Sequence, residues 1–301
     1  MKIAPFNYHA PASMQAALAL RQELPGSEIL AGGQSLVPYL AFRMRRCENL
    51  IDLNGVSELA GIREVNGRLE IGAMTRQRAI GGSELVARHA PIAQEALKLI
   101  GHIATRTRGT LGGSLCNMDP AAELFGVSAL HDAVLHVQSA SGARDIAIEH
   151  WAESFMKPAL APNEILTGID LLPWPAGHGH GFFEFSKRHH DYAVVAAGAL
   201  VTIDADSRIA RAAVVVIGCG AKPVRLRGAE ALLLGQTGSP DLFREAAREV
   251  EDLAEFPEEE ADRGYPRRFV SGEFRRRLGL ELTKRAIDKA YTSARSVERR
   301  N

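Results

Sequence analysis

The chain has 301 residues, 36 of them basic and 36 acidic, and 46% are hydrophobic. Balanced charge provides no basic field for nucleic acid or an anionic membrane surface. No apolar run approaches the roughly 18 residues of a membrane-spanning helix. The length suits about two domains. The first residues, MKIAPFNYHAPAS, lack the continuous apolar segment of a signal peptide, so the expected location is cytoplasmic. Cys47, Cys116 and Cys219 are scattered without CxxC spacing, which argues against a zinc or iron–sulfur site built from this chain and fits a reducing compartment.

In chain order, Ser13 caps a predicted helix over 14–23 that Pro25-Gly26 ends. A short strand, Glu28–Ala31, runs into the glycine turn AGGQSL at 31–36, and a helical stretch follows to Met44. Asn49–Leu53 reads as a strand. Asn66-Gly67 between two apolar-alternating runs predicts a hairpin of Ile62–Val65 with Arg68–Gly72. Thr75–Ile80 and Pro91–Ile100 read as helices, the second with Pro in its first turn. Ala121–Leu130 reads as a buried helix, and a second hairpin joins Ala133–Gln138 to Ala143–Ile148 through Ser141-Gly142. Glu149–Met156 is expected to be a short helix carrying Trp151, and Glu164–Leu172 a strand.

Between the first helices and the buried one lies the stretch that organises the chain, GTLGGSLCNMDPAAE at 109–123. Gly112 and Gly113 lack Cβ, so a ligand can approach their N–H groups closely, and Thr110 and Ser114 add hydroxyls. Alternatively, the segment is a plain turn with a helix start at Asp119-Pro120. Two Gly-Gly-x-Ser-like turns about 80 residues apart suit a cofactor with two phosphates, a dinucleotide such as FAD. Neither is GxGxxG, so the Rossmann fingerprint is absent. Arg106 and Arg108 precede the second turn and either hold phosphate or lie on a solvated loop. Cys116 sits inside it, as a small buried filler or a redox group.

Pro173–Pro175 and the Gly/His run 177–181 read as a linker. His178, His180, His189 and His190 match no standard metal spacing, and no metal is expected. Three strands, Phe182–Lys187, Val194–Ile203 and Ala212–Gly218, precede helices at Gly228–Leu234, Asp241–Leu253 and about 271–294, with an acidic loop at Pro257–Pro266 and a frayed tail SARSVERRN. Strands followed by helices indicate an α+β fold.

AGGQSLVPYL, RTRGTLGGSLCNMDPAAEL, Asn163–Leu166, FSKRHHDYAVV and SGEFRRRL occur in the order of five motifs of one family. Over nearly its whole length the chain resembles the FAD-binding medium subunits of the molybdenum hydroxylases, the family of xanthine dehydrogenase and carbon monoxide dehydrogenase. The resemblance implies a two-subdomain FAD-binding domain of vanillyl-alcohol-oxidase/PCMH type at 1–175, with subdomains about 1–57 and 58–175. It also implies a smaller C-terminal flavoprotein domain at 176–301 with a three-stranded antiparallel sheet and a helix bundle.

By position, Ala31, Gly32, Gly33, Gln34, Ser35 and Leu36 are implied to wrap the pyrophosphate with their N–H groups. Thr110, Gly112, Gly113 and Ser114 form the second clamp, and Asn117 and Asp119 hydrogen-bond the cofactor. Glu123 takes a ribose hydroxyl, as a carboxylate acceptor can, or serves as a first-turn helix residue. Leu166 meets adenine or flavin. Lys187 lies near the flavin or in solvent. Tyr192 covers an isoalloxazine face or belongs to the core of the second domain. Gln34 stands where many relatives have His, so the FAD is expected to be non-covalent, and Ala104 and Thr107 replace a Gln and an Asn common there.

The resemblance implies an oxidoreductase subunit in which no residue has a catalytic role, because the family places substrate oxidation on a molybdopterin-containing large subunit. A small subunit with [2Fe–2S] clusters relays electrons to FAD in the medium subunit, which passes them to an external acceptor. The implied assembly is a heterotrimer, dimerised as (αβγ)₂. The alternative is a stand-alone FAD oxidase or dehydrogenase using His189, His190 and Asp191 for acid–base chemistry.

Overall fold

The computed structural model describes residues 2–220, 222–253 and 270–298. Its first sheet is parallel, with β1 (Asn7–His9), β2 (Glu28–Leu30) and β3 (Asn49–Asp52) in the order β1-β3-β2. Helix α1 (Met14–Glu23) connects β1 to β2. Ser13 accepts from Ala16 N to cap it, and Met14, Ala17 and Leu18 pack on Ile51 and Leu53. Helix α2 (Leu36–Ala41) follows the first glycine turn and ends three residues before the predicted Met44.

A five-stranded antiparallel sheet comes next. Its members are β4 (Ile62–Val65), β5 (Arg68–Gly72), β6 (Val134–Ser139), β7 (Gly142–Ala147) and β10 (Ile165–Leu171), in the order β4-β5-β10-β6-β7. Both predicted hairpins are present. Asn66 and Gly67 have φ of 51° and 77°, as a two-residue primed turn requires. The segment between β5 and β6 is helical: α3 (Gln77–Gly81), α4 (Glu84–His89), α5 (Pro91–Leu97), α6 (Ile103–Arg108), α7 (Leu111–Asn117) and α8 (Glu123–Leu130). Sequence periodicity does not reveal α4 or α6, which are six residues long and span under two turns.

The predicted helix at Glu149–Met156 is not formed. A 3-10 turn at Ile148–His150 leads instead into β8 (Ala152–Ser154), which pairs with β9 (Lys157–Pro158). Trp151 is fully buried there, and its indole N–H donates to Leu115 O at 2.9 Å, a tertiary bond that holds the segment extended.

The third sheet contains β11 (Gly179–Ser186), β12 (Ala193–Ile203), β13 (Ile209–Ile217) and a two-residue edge strand, β14 (Val224–Arg225), all antiparallel. Thus three long strands carry a short fourth. The stretch predicted as linker gives its last residues to β11. Helices α9 (Arg227–Leu233), α10 (Pro240–Ala247) and α11 (Gly272–Glu298) follow. Helix α11 continues through most of the predicted frayed tail, and the predicted loop at Pro257–Pro266 lies outside the described residues. Among the described residues no helix is long and apolar enough to cross a membrane.

Strand β12 explains how the halves join. Residues 193–201 are all buried, yet alternate residues enter different cores. Ala196 and Leu200 pack with α8 residues such as Leu124 and Leu130, whereas Val195, Ala197, Ala199 and Val201 pack with Ala286, Ile287 and Ala290 of α11. A strand covered on both faces reads as a continuous apolar run. Helix α8, buried along its whole length, is therefore held against the third sheet, and its first residue, Glu123, is fixed where the two cores meet.

A buried ion network clamps the same junction. Arg225 donates to Glu230 Oε1 at 2.7 Å, to Asp132 Oδ1 at 2.9 Å and to Ala129 O. Glu230 Oε1 also accepts from Val214 N at 2.9 Å. Arg227 also reaches Asp132 and Glu230, at 3.2 Å each, but it is largely exposed, so removing Arg225 takes away the buried partner of Glu230. Arg225→Met is expected to lower unfolding free energy by about 3 kcal/mol in urea melts, and a change below roughly 1 kcal/mol would show that the network is screened like a surface pair.

Candidate functional site: a cleft between two glycine segments

The two glycine stretches meet backbone to backbone. A Cβ on Gly32 would lie 2.4 Å from Arg108 O and 2.8 Å from Gly109 Cα, so only glycine allows this approach. Beside the junction opens a cavity of about 580 Å³, inside the range of about 300–1,000 Å³ usual for small-molecule and cofactor sites. Of the residues singled out from sequence, Ala31, Gly32, Gly33, Gln34, Ser35, Leu36, Thr110, Gly112, Gly113, Ser114, Asn117, Asp119, Glu123, Leu166 and Tyr192 all line it.

Lys187 does not line this cavity. It follows the register irregularity between Phe185 and Ser186 that ends β11, and the cavity is bordered instead by His190, Asp191 and Tyr192 just before β12. Arg106 and Arg108 are also absent from the wall. The Arg106 guanidinium is spent on Ile100 O and Gly101 O at 2.7 and 2.6 Å, closing the turn before α6.

The two glycine segments differ in what they offer a ligand. In the first, the N–H groups of Gly32, Gly33, Gln34 and Ser35 have no acceptor among the described residues. Gly33 has φ of 74°. Four successive unpaired donors lining a cavity form a cradle for anionic oxygens. The second segment is not a loop but the start of α7. Its N–H groups are all used. Leu111 N donates to Thr75 O, Gly112 N to Ala73 O, Gly113 N to Thr110 Oγ1 and Ser114 N to Thr110 O. Gly112 serves packing, since its Cβ would stand 2.7 Å from Ala73 Cβ. What this segment adds to the cavity is shape and the hydroxyl of Ser114.

Side chains tie the walls together. Tyr192 is 59% exposed and reaches Ser35 with its hydroxyl, bridging the third sheet to the first turn. Tyr39 similarly reaches Asn117. Asp119 Oδ1 accepts from Ala121 N at 2.8 Å, shaping the turn into α8. Glu164 is gripped by Arg144 at 2.7 and 2.8 Å, and this hydrogen bonding holds its carboxyl below the usual range. Gln34 Nε2 donates to Gly32 O at 3.3 Å, within its own turn. Burial pushes the Cys116 thiol up to about 12, so it lines the wall as a filler rather than a thiolate.

Glu123 is a different group from the plain acceptor expected of a ribose-binding carboxylate. Burial, then the charge of Glu184 on β11, raises its pKa well above normal, and burial carries Glu184 to about 7. The two carboxyls lie close enough to interact, and burial favours the protonated form of each. Sequence reading missed Arg21, Gln77, His102 and the segment Met156–Pro162 as wall residues. No motif marks them, because they reach the cavity only through tertiary packing.

Known proteins can now be set beside this geometry. A family profile described as the FAD-binding domain in molybdopterin dehydrogenase matches residues 4–175, and one described as the CO dehydrogenase flavoprotein C-terminal domain matches 180–290. The chain belongs to the FAD-binding medium subunits of the molybdenum hydroxylases. This medium subunit is 35% identical to the 6-hydroxypseudooxynicotine dehydrogenase complex subunit alpha of Paenarthrobacter nicotinovorans, over 99% of this chain and 98% of that one. Quinoline 2-oxidoreductase from Pseudomonas putida 86 has a chain of the same fold, with TM-score 0.89, 32% identity, and coverage of 98% and 99%. CO dehydrogenase from Oligotropha carboxidovorans gives 0.91, 29%, 98% and 100%. The medium subunit is thus an FAD-binding oxidoreductase chain, and the unpaired N–H run and glycine-lined cavity fit that cofactor.

Two outcomes follow from the site. Gly32→Ala is expected to weaken FAD binding at least about tenfold by fluorescence titration with far-UV circular dichroism unchanged, since its methyl forces the two backbones apart; unaltered affinity would place the cofactor elsewhere. For the carboxyl pair, Glu184 keeps its proton to about pH 7 in the folded state, whereas an ordinary carboxyl releases it near 4.5. The folded state therefore binds more protons in this window, and stability falls as pH rises from about 4.5 to 7. Glu184→Gln should flatten that decline in melting temperature, and a parallel profile would show that Glu184 does not hold its proton to that pH.

Proposed function

We propose that this chain is the electron-exit subunit of a multi-subunit molybdenum hydroxylase. In this reading it receives electrons from [2Fe–2S] clusters of a small partner subunit and delivers them to an external acceptor. A large subunit carrying the molybdopterin cofactor oxidises the organic substrate. The chain itself holds three cysteines, fewer than the four thiolates of an ordinary [2Fe–2S] cluster. The implied assembly is a heterotrimer, dimerised as (αβγ)₂, and its location is cytoplasmic. The FAD-binding domain is assigned to 1–175, with subdomains about 1–57 and 58–175, and the C-terminal domain to 176–301.

The observation that carries the assignment of the cofactor site is the run of unpaired N–H groups at Gly32–Ser35. These groups bind the pyrophosphate in the proposed arrangement, with Ala31 and Leu36 at either end. Thr110 fixes the start of α7 by accepting from Gly113 N, and Ser114 presents its hydroxyl beside it. Asn117 and Asp119 set the far side of the cleft, Glu123 meets a ribose hydroxyl, and Leu166 supplies apolar contact. Tyr192, tied to Ser35, covers the opening and limits water at the ring system. Gln34 carries no imidazole for a covalent attachment, so the cofactor is exchangeable. Bound FAD supplies the redox chemistry, while the chain binds, orients and shields it.

The test is to purify the chain alone and together with its partner subunits. Releasable FAD, no substrate oxidation by the lone chain, and dye reduction once the partners are added are the expected results. Substrate turnover by the isolated chain would overturn the assignment and favour a stand-alone flavin enzyme.

A further inference from the structure

Away from the cofactor cleft, three of the buried ring nitrogens that have no partner among the described residues belong to neighbouring rings. They are Nε2 of His131, Nε2 of His178 and Nε1 of Trp174. The residues are 0%, 6% and 6% exposed. His131 closes α8, whereas Trp174 and His178 belong to the crossover from β10 to β11. The His131 and His178 rings stand edge to face with centroids 6.4 Å apart, and Trp174 lies 5.8 Å from His178.

Hydrogen bonding fixes the tautomers. His131 Nδ1 faces Leu172 O at 3.2 Å and His178 Nδ1 faces Pro175 O at 3.0 Å. A carbonyl only accepts, so each Nδ1 carries the hydrogen and each Nε2 presents a lone pair. Both rings are neutral at physiological pH, since burial lowers the pKa of His178 and takes that of His131 down to about 4. Trp174 Nε1–H can only donate. The site therefore offers two acceptors and one donor.

We propose that His131, His178 and Trp174 bind one internal water molecule, which donates to the two imidazoles and accepts from the indole. Water has the matching two donors and acceptor lone pairs, and a buried water typically makes about three such bonds. With each nitrogen about 2.9 Å from the water oxygen, two imidazoles sharing it place their ring centres roughly 6–7 Å apart. A metal cation is the poorer occupant. The Arg211 guanidinium lies 3.9 Å from the Trp174 ring centre and puts positive charge beside the site, and an indole N–H is not a ligand. The water joins the last turn of α8 to the crossover, so it fixes how the cofactor-bearing part sits on the third sheet.

The first test is a crystal structure of the full chain at a resolution that shows water. The expected result is one peak about 2.7–3.2 Å from all three nitrogens. A dry site, or an anomalously scattering peak at about 2.0–2.2 Å from the imidazoles, overturns the proposal in favour of a void or a metal. The second test is a thermal double-mutant cycle with Trp174→Phe and His178→Phe. Each is expected to lower Tm by about 2–4 °C, and the double variant by no more than the larger single shift, because both remove the same bound molecule. Additive shifts overturn the proposal. The diffraction experiment needs no variant and decides the question if His178→Phe does not fold.

Discussion

The contact of Gly32 with the Arg108–Gly109 backbone is the constraint on which the cleft depends. It brings together segments some 80 residues apart without an intervening side chain. The next residues lead into α2, and Val37 N donates back to Gly33 O, so the N–H groups ahead of it have no intrahelical acceptor. Those of Gly32, Gly33, Gln34 and Ser35 are left facing a cavity instead of a carbonyl. Of these residues only Gly32 is buried, and the others are open to the cleft or to solvent. A run of four without partners is a site for something that brings its own acceptors, and a diphosphate does so with several oxygens at once.

Around this contact the fold distributes its work unevenly. The first segment supplies hydrogen-bond donors. The second supplies rigidity, because every N–H at the start of α7 is already committed to Thr75, Ala73 or Thr110. Trp151 bonds the same helix to the segment behind it. The third sheet closes the system from the other side. Tyr192, just before β12, lines the cavity and reaches Ser35, so the second half of the chain completes a cleft whose glycine walls belong to the first. Neither half forms the cleft without the other.

The junction between the halves is correspondingly apolar and tightly specified. Helix α8 is buried along its length, and β12 is apolar on both faces because each face meets a different core. Arg225, Asp132 and Glu230 sit at one end of this junction, and His131 with its neighbours at the crossover. Polar groups in such a place fix one alignment of the two layers where apolar packing alone would tolerate sliding.

The sequence by itself determined the hairpins, because Asn66-Gly67 and Ser141-Gly142 act through local backbone preference. It determined the cap at Ser13 in residue type, and the apolar run of β12. It also marked the two glycine segments of the cavity wall, since glycine at a close backbone approach leaves a visible motif. Tertiary structure alone decided the rest. Gly-Gly at 112–113 looks like a phosphate loop, but Ala73 and Thr110 take its N–H groups, and those partners are distant or ambiguous in sequence. Trp151 was expected in a helix, but its bond to Leu115 O selects an extended segment. Arg21, Gln77 and His102 entered the wall with no motif, Lys187 left it at an irregular strand end, and Glu123 came to lie beside Glu184 of β11. In each case the deciding partner comes from a remote part of the chain, and local preference carries no information about which remote group arrives.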